Sequence, residues 1–361
     1  MNLHARRLIK PDGRELVLYA RSPIEGDLVA PAAGHAGPRA SHLRWHPLRG
    51  EWIVYASHRQ NRTFLPPPEW NPLAPTADPA RPTEVPAGPW DVAVFENLFS
   101  ALGWSGGDVP RELVDTAPCP GRCEVVVFTQ DPRSSLASLP LDHLELVLAV
   151  LGERTRALAQ LADVAYVFPF ENRGVEVGVT LPHPHGQIYG YPFVPPLAAR
   201  ALELQANHLT SRGRGLLEEM IEGELARDVR TLYAGEHAAA WVPACARWAY
   251  EIWIAPRRPV ALISELSDDV RHDLARALQR ALRKLDGLWQ QPMPYVLAVH
   301  QAPVRGDHPY AHAHIEIYPW LRMPGRLKYL AGSEVGAGVF TADTLPEDKA
   351  RELRAVEVTD D

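Results

Sequence analysis

HPHGQIYGYP, residues 183–192, has a counterpart later in the chain, HAHIEIYPWL, residues 312–321. His183 aligns with His312, His185 with His314 and Tyr189 with Tyr318. The agreement extends outward. CEVVVFTQDPRSSLASL (123–139) and YEIWIAPRRPVALISEL (250–266) each read as an apolar strand, a turn with proline and arginine, and a short leucine-bearing segment. Residues 141–161 and 266–285 follow with apolar side chains three and four apart, a helical period, and Asp142 and Ser267 stand where each helix needs a cap. Strands return at 164–174 and 295–303. The order strand, helix, strand, strand therefore occurs twice. It predicts an α+β fold of two similar halves, with antiparallel sheet and flanking helices, in one extended sheet or two joined ones. Residues 1–196 form the half that carries HPHGQ, and residues 197–361 the half that carries HAH.

Outside the duplication, LRWHPLRGEWIVYA (43–56) reads as a hairpin turning at Arg49-Gly50. Arg59 and Arg62 follow it, three apart. Residues 66–89 hold nine prolines in 24 positions and suit neither a helix nor a central strand, so they read as a surface wrap or linker. Residues 197–232 read as mainly helical. The segments before residue 110 are expected to add strands or loops at the site.

Composition narrows the function. The 361 residues are 46% hydrophobic and 22% charged, ordinary for a globular chain of one large or two smaller packed units. A net charge of −7, with 37 basic against 44 acidic residues, gives no reason to expect nucleic acid or a membrane surface as partner. No apolar run is long enough to span a bilayer, and MNLHARRLIKPDGRE lacks a signal-peptide core, so a cytoplasmic protein is expected. Three cysteines exclude a disulfide scaffold. The 35 prolines are about twice the usual share, which points to stiff connections.

The chemistry concentrates in HPHGQ. On a strand, His183, His185 and Gln187 share one face, and three polar side chains there do not build a core. A neutral imidazole is available at pH 7 and attacks phosphorus well, provided its other nitrogen is protonated and held, most simply by a backbone carbonyl that Pro184 helps to place. Gln187 is suited to donate to a phosphoryl oxygen as charge develops, and Gly186 to let a substrate approach the backbone.

HPHGQIY after a FENRG strand (170–174) resembles the galactose-1-phosphate uridylyltransferase family of the histidine-triad superfamily. The resemblance extends to RWHPLRGEWIVYASHRQNR (44–62), VFENLFSAL (94–102), VHQAP (299–303), HAHIEIYP (312–319) and LKYLAGSEVGAG (327–338), in the family's order. It implies duplicated histidine-triad-like halves and a ping-pong reaction. His185 attacks the α-phosphorus of UDP-glucose, glucose 1-phosphate leaves, and galactose 1-phosphate collects the uridylyl group. Gln187 supports the phosphoryl oxygens. Arg59, Arg62, Asn97, Asn172 and Thr180 fall at nucleotide- and phosphate-holding positions. Lys328 and Glu334 fall in a loop that reaches the sugar phosphate from the neighbouring subunit, which implies a homodimer with shared sites.

Two metal sites come into question. His300, His312 and His314 make a donor set suited to one zinc or iron ion. The family's accompanying glutamate falls at Ala201, leaving Glu203 as the substitute ligand. The family's Cys-x-x-Cys zinc site looks lost: Asn71 and Ala74 replace the cysteines, Pro132 replaces a histidine, and only His183 remains. Cys119 and Cys123 have no histidines near them in sequence, and Cys245 reads as core. The competing functions are an ADP-sugar or nucleoside diphosphate sugar phosphorylase or adenylyltransferase, which would share the nucleophile, and a nucleotide-binding protein without turnover. A superfamily hydrolase is disfavoured because Gln187 stands where its third histidine would be.

Overall fold

The computed structural model describes residues 2–34, 40–61 and 70–359. Arg62 and the first prolines of the rich stretch, 66–68, lie outside these. In chain order the elements are β1 (His4–Ile9), β2 (Glu15–Ala20), β3 (His42–His46), β4 (Glu51–Tyr55), β5 (Val92–Glu96), β6 (Thr116–Pro118), β7 (Arg122–Val127), α1 (Leu141–Leu158), β8 (Tyr166–Arg173) and β9 (His185–Tyr191). Then come α2 (Pro196–Arg212), α3 (Leu216–Arg227), β10 (Thr231–Ala234), β11 (Ala238–Trp241), β12 (Ile252–Pro256), α4 (Asp268–Gly287), β13 (Tyr295–His300), β14 (His314–Pro319), β15 (Leu321–Met323), β16 (Arg326–Leu327) and α5 (Pro346–Ala355).

Eleven strands make a single antiparallel sheet in the order β1-β2-β5-β7-β9-β8-β13-β14-β12-β11-β10. The order is nearly palindromic about the β8–β13 seam. The first copy contributes β7-β9-β8, and the second contributes β13-β14-β12. Of the two arrangements the duplication allows, one continuous sheet is found. At the seam Asn172 pairs with Val296 and Phe170 with Ala298, so the FENRG strand lies directly against the second half.

The repeated helices cover one face. In α4, Leu274, Leu278, Ala281, Leu282 and Leu285 are buried at the three- and four-residue spacing that the sequence shows, and α1 packs beside it in the same core. Ser267 caps α4 by accepting from the Val270 N–H at 3.4 Å. Asp142 does not cap α1. Pro140 occupies that position, and the Asp142 carboxylate pairs with Arg21 instead.

The other face is covered differently in each half. Leu73, Val85 and Trp90 from the proline-rich stretch pack on Leu16, Leu18, Phe95 and Val127, so its described part is an ordered wrap. Its prolines lack ladder donors and follow the sheet surface without joining it. The hairpin β3–β4 forms a small sheet with β6, turning at Gly50 with φ +65°. In the second half α3 lays Leu217 and Ile221 on Trp241 and Ala255. Cys119 and Cys123 are buried thiols in an apolar cluster, whereas Cys245, expected in the core, is exposed.

Candidate active site

β9 leaves His185, Gln187 and Tyr189 on one face and buries Gly186, Ile188 and Gly190 on the other, the alternation its pleat requires. Beside it β8 turns Phe168, Phe170 and Asn172 to the same side. These strands floor a cleft of about 200 Å³ lined by Arg59, Phe170, Asn172, Thr180, His185, Gln187 and Tyr189, with Gly178 and Val179 closing one wall. A 3₁₀ turn at Val175–Val177 ends on Gly178 at φ +81°, a backbone state that favours glycine, and the turn delivers Thr180 to the rim.

His185 Nδ1–H donates to the His183 carbonyl at 2.7 Å. The proton therefore sits on Nδ1, and Nε2 keeps its lone pair. Burial lowers the pKa of the ring, and the His183 carbonyl opposes that only in part. In the same cleft, the Arg59 guanidinium stands beside the Tyr189 hydroxyl, and Arg59 Nε is buried with no hydrogen-bond partner among the described residues. A buried guanidinium N–H is costly when unpaired, and an anionic oxygen would satisfy it. The cleft thus joins a bare imidazole nitrogen to donors suited to a phosphoryl group.

The chain matches the family models for galactose-1-phosphate uridyl transferase along nearly its whole length, the N-terminal domain over residues 36–195 and the C-terminal domain over residues 201–360. It belongs to the galactose-1-phosphate uridylyltransferase family. A galactose-1-phosphate uridylyltransferase of Streptomyces lividans is 36% identical over 365 residues, covering 96% of this chain and 96% of that protein. The Thermotoga maritima protein of the same name is 34% identical, covering 88% of this chain and 98% of its own. A solved uridylyltransferase structure superposes with a TM-score of 0.80 at 33% identity, over 87% of this chain and 98% of that one.

Within this member of the family, several expected residues lie elsewhere. His183 is 1% exposed and its ring does not face the cleft. The strand begins only at His185, and the bend before Pro184 turns the His183 ring into the interior, where Nε2–H donates to the Thr129 carbonyl at 2.7 Å. It is the His183 carbonyl, not its ring, that serves the cleft. Gly186 faces the core as well. A Cβ there would meet Phe128 at 2.6 Å and the Phe170 carbonyl at 3.0 Å, so the glycine serves packing and not substrate approach. Asn97 is outside the cleft lining, with Oδ1 accepting from the Phe99 N–H at 2.9 Å. Lys328 and Glu334 do not line it either. Lys328 Nζ donates to the Thr341 carbonyl at 2.8 Å, and Glu334 accepts from the N–H groups of Ala331 and Thr341, so the two close a loop of their own.

The second histidine cluster repeats the first. His314 Nδ1–H donates to the His312 carbonyl at 2.9 Å, and His312 Nε2–H donates to the Pro256 carbonyl at 2.8 Å. A row of rings connects the two sites: Tyr189, Phe170, Phe168, His300 and His314 follow one another at centroid spacings of 5.1, 5.5, 5.9 and 5.1 Å. At the position of Gln187 the second copy has Glu316, whose carboxylate lies 3.2 Å from His314 Nε2 and 3.8 Å from His300 Nε2. Its pKa is pushed down to about 2, the two histidines and the Tyr318 hydroxyl outweighing burial. An anionic carboxylate there disfavours a phosphoryl group, where the first copy presents the neutral amide of Gln187.

His300 Nε2 and His312 Nδ1 are buried without hydrogen-bond partners among the described residues, the lone-pair chemistry a metal ion would use. Glu203 is not available to such an ion. It lies on the outer face of α2, exposed and paired with Arg200 at 2.8 Å, because the helix turns Leu202 and Gln205 inward. Among the described residues no group of three or more histidine, cysteine, aspartate or glutamate side chains is arranged to hold a metal. At the expected cysteine-pair position, the Asn71 side chain meets His183 Nδ1 at 2.9 Å. Sequence reading missed Phe170 and Tyr189 as cleft walls; their aromatic character and i, i+2 spacing with Asn172 and Gln187 are the signal that would have found them.

Proposed function

We propose that this chain exchanges a uridylyl group between UDP-glucose and galactose 1-phosphate through a covalent intermediate on His185. Nε2 attacks the α-phosphorus, and the bond from that phosphorus to the glucose 1-phosphate oxygen breaks with its electron pair. Glucose 1-phosphate leaves, and a phosphate oxygen of galactose 1-phosphate then displaces Nε2 to give UDP-galactose. No proton needs to move. Nδ1–H stays bonded to the His183 carbonyl throughout, and the dipole of that carbonyl stabilises the positive charge the ring gains. Arg59, Gln187 and Thr180 hold phosphoryl oxygens, and Asn172 and Arg62 serve the nucleotide. The observation that carries this reading is the Nδ1–H bond to His183, which leaves Nε2 bare in a cleft with an unpaired guanidinium N–H.

The same reading makes residues 1–196 the half with the nucleophile and 197–361 the half with the second cluster. It makes the active unit a cytoplasmic homodimer with shared sites. For the second cluster it offers His300, His312 and His314 as the side chains that would hold one zinc or iron ion, should one bind. The deciding experiment is intact mass after incubation with UDP-glucose and, separately, ADP-glucose. A uridylyl adduct released by galactose 1-phosphate supports the reading. An adenylyl adduct alone favours the ADP-sugar enzyme, and no adduct from either overturns a covalent mechanism.

A further inference from the structure

We propose that Asn71 is a positioning residue for His185, acting through the ring of His183. Asn71 Oδ1 accepts from the Leu73 N–H at 3.0 Å, which settles which end of the amide turns outward. Nδ2–H therefore donates to His183 Nδ1 at 2.9 Å. That nitrogen is bare, so the proton is on Nε2, where it donates to the Thr129 carbonyl at 2.7 Å. Both ring nitrogens are thus held, and the ring cannot tilt without stranding buried polar groups. The Phe128 N–H donates to the Pro184 carbonyl at 3.1 Å and pins the same backbone from the other side. The carbonyl fixed in this way is the one that accepts His185 Nδ1–H.

The duplication supplies an internal control. His312 has the equivalent bond from Nε2–H to a backbone carbonyl, and its own carbonyl accepts from His314. Yet His312 Nδ1 has no hydrogen-bond partner among the described residues. Only in the copy with the cleft does a side chain of the protein hold the Nδ1 of the first histidine, and that side chain is Asn71. A donor N–H on the Nδ1 lone pair also leaves nothing there for a metal to bind.

The inference rests on His185 being the nucleophile, and its test separates the two claims. With ¹⁵N-histidine label, ring-nitrogen shifts report His183 with Nδ1 bare and Nε2 protonated in the wild-type protein, before and after added zinc. Asn71→Asp keeps the shape and the Leu73 bond but sets an acceptor against Nδ1, which then becomes protonated. Asn71→Ala removes the donor and lets His183 exchange tautomers. Both variants form the adduct about tenfold more slowly, the scale on which a partner one hydrogen bond removed from a working imidazole acts, at unchanged UDP-glucose affinity. Wild-type rates in both variants overturn the inference. So does slow reaction with an unchanged His183 tautomer, a protonated Nδ1 in wild type, or a zinc-dependent shift of His183. Absence of adduct in the wild type overturns the function instead, and the ring shifts still decide the clamp.

Discussion

His185 holds its two ring nitrogens in different states, and most of the proposed chemistry follows from that. Nδ1 carries the proton because a carbonyl waits for it, and Nε2 carries the lone pair. His185→Gly removes the attacking atom and leaves Arg59, Asn172 and Thr180 in place. Net transfer falls on the order of 10³-fold or more, UDP-glucose still binds by calorimetry, and no adduct appears by mass. The pH dependence has a definite sign. Burial lowers the His185 pKa below the ordinary 6.5, so the folded ring stays neutral as pH falls through that value. Single-turnover adduct formation is therefore flat from alkaline pH down through 6.5 and declines only below it. A decline centred above 6.5 contradicts the placement of the ring. At this scale the sequence was legible where side chain and pleat agree: His185 and Gln187 face the cleft because they alternate on one strand. It was misleading at His183, two residues earlier, because the chain bends before Pro184 ahead of the ladder, and alternation no longer applies.

Elements are where local pattern met long-range packing. The helical spacing in α4 and the apolar runs of β7, β8, β13 and β14 were readable because each segment buries one periodic face. The pairing of β8 with β13, which turns two halves into one sheet, has no local signature, since any apolar strand edge accepts such a partner. β1, β2 and β5 were foreseen only as strands or loops, for the same reason. Gly186 shows the limit clearly: its purpose depends on Phe128 and Phe170 from two other segments. Gly186→Ala pushes a methyl into that contact and costs about 1–3 kcal/mol, as overpacking does. Thermal unfolding shifts down accordingly, while adduct formation at low temperature stays near the wild-type rate because the methyl points away from the cleft. A large loss of rate with unchanged stability would place Gly186 back at the substrate. The duplicated strand β14 gives a second test. Elemental analysis finds one metal ion per chain, and His300→Ala together with His314→Ala removes it. Two ions per chain contradict the reading of Asn71 as a replacement for a zinc site, and none contradicts the second-cluster assignment.

At the scale of the whole molecule, the proposed dimer would complete each cleft from outside its own chain. Lys328 and Glu334 belong to a loop held shut by their own contacts, and neither lines the cleft of the chain that carries them. The same segment exposes Tyr329, Val335 and Val339 at 72, 62 and 60%, apolar surface that a second copy would cover. Homodimers with two-fold symmetry are the commonest soluble assembly, so each chain would both give and receive such a loop. Composite sites make a quantitative prediction. Chains with His185→Gly and chains with Glu334→Ala are each inactive as pure dimers. After subunit exchange at equal amounts, half of the dimers are mixed. In each of these, one site combines an intact His185 with an intact Glu334, and the other holds both defects. Activity therefore returns to about a quarter of the wild-type value at the same total protein. If each chain completes its own site, every site in every dimer stays defective and no activity returns, even when exchange is verified by mass. That result would remove the shared site and leave the His185 chemistry as it stands.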